Sequence, residues 1–202
     1  DLPLKHTSDR HPWFREASSE PGSPRRDWYE WSPRNPGWGQ PWDLNTPAWH
    51  RLGGEHYYGL FQSSMPNLNF RNLAVREELK RIVHLWLSRG VDGFRLDAAR
   101  FLVETGPMRG QVSTPETHAY LRELSAGARS ARPGAALVGE IWSVTEDIAY
   151  YYGDVGRAQG QADEPAPEGA GGQSLTMPPR REELQLAFDF PLAAAIVSAA
   201  RS

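Results

Sequence analysis

The chain reads as an α/β protein built on parallel strands, and three observations predict this. Two short strand-like runs, Gly93-Phe94-Arg95-Leu96-Asp97 and Leu137-Val138-Gly139-Glu140-Ile141, flank a helical stretch over residues 117–129, which is the strand-helix-strand order of a parallel pair. An amphipathic helical pattern runs directly into the first of them. Ahead of that pattern lies a long segment dense in Pro, Gly and Trp, with no sustained period of either kind.

Each element follows from its residues. Residues 1–6 read as a short buried strand ending at His6, and Pro3 is tolerable if that strand lies at a sheet edge, where one ladder bond can be missed. From Thr7 to Phe70 the sequence reads as a loop-rich subdomain inserted after that strand; irregular segments longer than about 15 residues are usually functional. Asn72 is then a candidate helix cap. Val75, Leu79, Ile82, Val83 and Trp86 recur at spacings of three and four, Gly90 supplies the stop, and Glu77 and Arg81 are placed to pair across one turn. After the Asp97 strand, a looser stretch with Gly106, Pro107 and Gly110 leads to the helix over 117–129 and the strand Leu137 to Ile141. Residues 156–181 read as a low-complexity loop. Leu184 to Phe190 reads as one more strand and Leu192 to Ala200 as the start of a helix.

Composition narrows the function. The 202 residues are 39% hydrophobic and 23% charged, and no apolar run nears the roughly 18 residues of a membrane span, so no membrane partner is expected. A net charge of −3 without a basic tract is poorly suited to nucleic acid. A neutral substrate fits better, and the 8 Trp, 7 Tyr and 7 Phe offer flat faces for sugar rings, although core packing accounts for most such residues equally well. Cysteine is absent, which excludes disulfides and thiolate metal sites. His11, His50, His56, His84 and His118 show no zinc-binding spacing, so no metal site is expected from them.

The chemistry concentrates at two strand ends. Side chains alternate along a strand, so Arg95 and Asp97 share one face while Phe94 and Leu96 share the other. Ala136, Val138 and Glu140 form a similar set that carries Glu140 to the end of its strand. Two carboxylates on neighbouring strand ends suit acid/base chemistry: Arg95 would hold Asp97 ionised, whereas the charge of Asp97 and burial beside Trp142 would raise the pKa of Glu140. In isolation, Arg95 with Asp97 also reads as a structural ion pair and Glu140 as a solvated strand end.

Four blocks, in order and spacing, decide between these readings. Gly93-Phe94-Arg95-Leu96-Asp97-Ala98 resembles the nucleophile strand of the α-amylase superfamily of glycoside hydrolases, and Gly139-Glu140-Ile141-Trp142 resembles its general-acid strand. Asp1-Leu2-Pro3-Leu4-Lys5-His6-Thr7-Ser8-Asp9 is similar to its third-strand motif, and Met65-Pro66-Asn67-Leu68-Asn69-Phe70 to the motif near the end of its second domain. The last form resembles α-amylases of intermediate oligo-1,6-glucosidase/neopullulanase type. The resemblance implies a partial TIM (β/α)8 barrel, about strands 3 to 6, with a loop-rich domain B inserted after strand 3: residues 1–6 as strand 3, 7–70 as domain B, 71–202 as strands 4 to 6 with their helices. A full barrel takes about 250 residues.

The resemblance also implies roles. Asp97 is the expected nucleophile and Glu140 the general acid/base of retaining hydrolysis, with His6, Arg95 and Trp142 binding the substrate, a starch-like α-glucan or malto-oligosaccharide. Two other readings stand beside it: a glucosyl-transferring relative such as a trehalose synthase or α-glucosidase, and a non-catalytic binding module, against which intact Asp97 and Glu140 argue. Lys5 stands where many members carry an Asn that ligates calcium, and an ammonium cannot do so, hence no calcium or other cofactor is expected. Asn67 stands where Asp is common, and Arg100-Phe101 replaces a familiar Lys-His pair. No Asn-His-Asp, the motif of the third catalytic carboxylate, occurs in the sequence. The chain is therefore expected to be a fragment, inactive alone, of a parent enzyme; the lack of cysteine leaves its compartment open, with a secreted or periplasmic site favoured over a cytoplasmic one.

Overall fold

A computed structural model describes residues 1–152 and 183–188. In chain order the elements are β1 (Leu2–Pro3), α1 (Pro12–Ser19), β2 (Trp31–Ser32), β3 (Gly39–Gln40), β4 (Asp43–Pro47), β5 (Trp49–Leu52), β6 (Glu55–Tyr58), α2 (Leu73–Ser88), β7 (Gly93–Asp97), α3 (Pro115–Ala131), β8 (Ala136–Gly139), α4 (Thr145–Ala149) and β9 (Leu186–Ala187). Four strands form a parallel sheet in the order β1-β7-β8-β9. Its central pair carries the site: Leu96 lies opposite Gly139, and the Glu140 amide donates to the Leu96 carbonyl at 2.9 Å, so the ladder reaches Glu140.

Strand β7 alternates as its sequence dictates, with Phe94 and Leu96 buried and Arg95 and Asp97 part-exposed on the other face. Gly93 is required at its start, because a Cβ there would stand 2.1 Å from the Ala136 carbonyl oxygen. Pro3 sits in β1, an edge strand among the described residues, where a missing N–H is harmless. The strand itself is shorter than residues 1–6, since Lys5 and His6 have already turned toward the insertion, and His6 pairs with Asn67 in an isolated bridge.

Helix α2 begins as expected: the Asn72 side chain accepts from the Ala74 amide at 2.9 Å, and Gly90 takes φ +95° after its end. Its buried stripe is Val75, Leu79, Val83 and Leu87; Trp86 is instead 44% exposed, lying beside Arg89. The surface ion pairs are also set differently, as Glu77–Lys80 and Glu78–Arg81 rather than Glu77–Arg81. Both choices are one turn long, and side-chain rotamers rather than spacing decide between them. Helix α3, capped by Thr114, packs beside α2, with Glu123 accepting from Arg76 and from Lys80 (2.6 Å).

The insertion is more regular than its sequence predicts. Residues 7–70 contain α1, a three-stranded antiparallel sheet ordered β2-β6-β5 and the pair β3-β4. Strands of two to five residues are too short to show a period above the Pro and Gly background. Aromatic packing joins them: Phe14 contacts Tyr29, Trp31 and Tyr57, while Trp38, Trp49 and Tyr58 form a second group. That second group shares a buried cluster with Ala98 and Phe101, just past the end of β7, which anchors the insertion against the site. The strand expected over 184–190 is seen as Leu186–Ala187; the loop at 156–181, the end of that strand and the helix from Leu192 lie outside the described residues.

Candidate active site

Asp97 and Glu140 stand side by side at the carboxyl ends of β7 and β8, bridged by one side chain. Arg95 donates from Nη1 to Asp97 Oδ1 at 3.0 Å and from Nη2 to Glu140 Oε1 at 2.7 Å. The same Nη1 reaches Asp1 Oδ1 at 2.7 Å. This follows from strand chemistry: Arg95 and Asp97 share a face two residues apart, and the parallel register puts Glu140 next to that face on the adjoining strand.

Glu140 accepts two further bonds, from Trp142 Nε1 to Oε1 and from the Ala98 amide to Oε2, both 3.2 Å. Ala98 is in the left-handed region at φ +51°, an uncommon and costly setting for a residue with a Cβ that places its N–H on Glu140. No sequence pattern announces such an amide.

The charge state of Glu140 corrects the expectation. Burial pushes its pKa up, but the bonds from Trp142 and Ala98, the Arg95 charge and a hydrogen bond shared with Asp97 outweigh burial, and the carboxyl lies below its ordinary range. The physical reason is that Trp142 is 58% exposed and donates to the carboxylate instead of covering it.

His6 closes one side of the site. Its ring meets Phe61 edge-on at 5.8 Å, and its Nδ1 is buried with no partner among the described residues. Burial lowers its pKa; the nearby charge of Asp97 raises it and that of Lys5 lowers it, so the net direction is down and the ring is neutral at pH 7.

Beyond Trp142 opens a cleft of about 440 Å³ lined by Pro41, Trp42, Phe61, Phe101, Val112 and Arg100 as well as Trp142. Trp42 stacks on Phe61 at 5.7 Å and meets Phe101 edge-on at 5.5 Å, yet stays 53% exposed. The aromatic richness of the sequence hinted at such a wall without saying which residues form it.

Lys5 lies at the bottom of a sealed cluster. Its Nζ donates to Glu104 and to the Leu102 carbonyl (3.3 Å), and Asn67 Nδ2 donates to Glu104 Oε1 at 3.3 Å. Glu104, which the sequence did not single out, also accepts at its backbone carbonyl from Arg71. Burial pushes the Glu104 carboxyl up and Lys5 holds it down, while Glu30 nearby is pushed up to about 7 by burial and by the charge of Glu104. This donor set does not fit a calcium ion, since an ammonium occupies the place among the oxygens. Among the described residues, no group of three or more His, Asp or Glu is arranged to hold a metal, and no helix is long and apolar enough to cross a membrane.

The described residues thus pair a parallel α/β sheet with two carboxylates at its carboxyl ends and an aromatic cleft beside them. The chain belongs to the alpha-amylase family: residues 1–163 match its catalytic domain. It is 41% identical over 152 residues to Alpha-amylase 3 of Dictyoglomus thermophilum, covering 75% of this chain and 28% of that protein. It is 31% identical over 207 residues to a trehalose synthase/amylase of Mycobacterium tuberculosis, covering 100% of this chain and 31% of that one. The crystal structure of an α-amylase from H. orenii superposes with a TM-score of 0.70 at 30% identity, covering 99% of this chain and 34% of its own. The fold is thus part of a TIM-barrel catalytic domain, and the chain spans about a third of the length of these relatives.

Proposed function

We propose that this segment carries the nucleophile and the general acid/base of a retaining α-amylase-type hydrolase acting on starch-like α-glucans or malto-oligosaccharides, with activity residing in the longer protein. The observation that carries the reading is the single Arg95 guanidinium bonded to both Asp97 and Glu140 at the carboxyl ends of adjacent parallel strands. In this reading residues 1–6 are barrel strand 3, residues 7–70 are domain B, and the chain continues through strands 4 to 6.

Asp97 attacks the anomeric carbon while the bond to the leaving oxygen breaks and that oxygen takes the Glu140 proton. Glu140 then takes a proton from water as the water oxygen bonds to the anomeric carbon and the Asp97 ester bond breaks. For the first step Glu140 must be protonated. A sugar seated between the carboxylates excludes water, and desolvation together with the Asp97 charge then raises the proton affinity of Glu140 above its value in the free protein. Neutral His6 supplies a hydrogen bond to the same sugar, and Trp142 a face for its neighbour. Proton NMR of maltotriose cleavage tests this: the α-anomer should form first, and initial β-anomer would exclude retention.

A second reading, glucosyl transfer, is supported by the trehalose synthase/amylase relative that matches along the whole chain. It uses the same two carboxylates with a sugar hydroxyl in place of water. Product analysis on maltose separates them: glucose alone supports hydrolysis, and a new disaccharide supports transfer.

A further inference from the structure

The general acid faces the leaving group, so the cleft running outward from Glu140 past Trp142 is where the leaving or accepting sugar lies. That cleft does not end at its aromatic wall. Pro41, Arg100 and Val112 also line a second, more polar cavity of about 770 Å³, so the two adjoin. At their junction stands Arg100. Its Nε is buried and makes no hydrogen bond, its guanidinium has no acidic partner among the described residues, and its ring contact is with Phe101 at 5.5 Å. A buried donor left unsatisfied is costly and rare unless something else supplies the acceptor.

The polar cavity is cationic. Arg109 lines it without an ion pair among the described residues, and His118 lines it with its Nδ1 2.7 Å from Glu183. The one acid lining it among the described residues, Asp147, already accepts from Ser143. Ser113, Tyr150 and Tyr151 add hydroxyl groups, with Tyr151 donating to Ser113 at 2.7 Å. Among the described residues, two guanidinium groups without an acidic partner against one engaged carboxylate favour an anion, and an arginine fork matches the paired oxygens of a phosphate or carboxylate.

We propose that Arg100, assisted by Arg109, forms an anion subsite for a phosphate or carboxylate carried by the leaving or accepting sugar, whose ring lies against the Trp42–Phe101–Trp142 wall. The assignment rests on the reading of Glu140 as general acid. It adds a charged leaving or accepting sugar to the neutral α-glucans of that reading, as the ligand that gives Arg100 its acceptor.

Isothermal titration of the intact protein at pH 7 with glucose 6-phosphate, glucuronate, glucose and inorganic phosphate tests it. At least one charged sugar should bind roughly 10- to 100-fold more tightly than glucose, the range of a charged hydrogen bond, and the tighter of the two identifies the group. Arg100→Gln should abolish this preference, Arg100→Lys should keep part of it, and Arg109→Gln should weaken it. Equal binding of glucose and both charged sugars, an undiminished preference in Arg100→Gln, or inorganic phosphate binding as tightly as glucose 6-phosphate would each overturn the proposal. An Asp97→Asn enzyme that stayed active while Arg100→Gln lost the preference would instead defeat the catalytic reading and leave the subsite standing.

Discussion

Two groups of charges sit at the same end of the parallel sheet, each a basic side chain against carboxylates. Arg95 with Asp97 and Glu140 remains open, with Arg95 and Asp97 each 29% exposed. Lys5 with Glu104 is sealed, at 0% and 2%. In the open group one cation serves several carboxylate oxygens, and water completes their solvation, so a ligand can displace that water and change who holds a proton. In the sealed group the ammonium has fixed acceptors in the Leu102 carbonyl and the Glu104 carboxylate, both after β7, and Asn67 of the insertion donates to that same carboxylate. Exposure, more than residue type, separates a site that can react from one that holds parts together.

The largest expected effect breaks the open group. In the intact protein, Asp97→Asn should lower kcat on the order of 10⁴-fold, because a neutral amide cannot attack the anomeric carbon and Glu140 is committed to proton transfer. Glu140→Gln should cost roughly 10²- to 10⁴-fold. Both variants should melt close to the parent temperature, as the groups are part-exposed; near-parental turnover in either would refute the assigned roles.

Breaking the sealed group should show the reverse pattern. Lys5→Met leaves Glu104 buried without its cation and should cost about 3–5 kcal/mol in denaturant unfolding. The double variant Lys5→Met/Glu104→Leu should recover most of that loss, since it removes both charges together. If the double variant were no more stable than the single one, the ion pair would not be the source of the effect. The same cluster predicts that a calcium chelator leaves the melting temperature of the parent unchanged; a large drop would show that oxygen ligands elsewhere hold an ion.

Much of the open group was legible in the sequence, and almost none of the sealed one. Alternation in Phe94-Arg95-Leu96-Asp97 placed two side chains on one face, and the helix from Asn72 to Gly90 could be read from its cap, its stripe and its stop. Glu104 could not be paired with Lys5, because 99 residues separate them and no local pattern encodes the approach. The strands of the insertion were hidden by their brevity. The charge of Glu140 was misjudged because sequence names its neighbours without showing whether Trp142 covers the carboxylate or bonds to it.

A smaller effect sharpens that last point. Trp142→Phe removes the indole donor to Glu140 while keeping an aromatic face, so the Glu140 pKa should rise. The pH–kcat/KM profile of the variant should shift accordingly, the limb that reports Glu140 moving to higher pH. An unmoved limb would mean that the indole bond is not what holds the carboxylate down.

The smallest effect concerns stability against pH, and it again separates the two groups. His6 borders the open site, and its folded pKa lies below its ordinary 6.5, chiefly through burial. The unfolded chain therefore takes up this proton first. Stability should fall as pH drops below about 6.5 and level off once the folded His6 is itself protonated. Glu140 acts with the opposite charge but the same sign: its pKa is depressed below 4.5 in the folded protein, so its contribution is complete above that pH and lost as pH falls further. Denaturant unfolding of the parent and of His6→Gln between pH 7.5 and 5 isolates the first step, because only the parent should weaken over that interval for this reason. Parallel curves for the two proteins would mean that His6 is as freely protonated in the folded chain as in the unfolded one, and that the open group reaches further into solvent than its buried Nδ1 indicates.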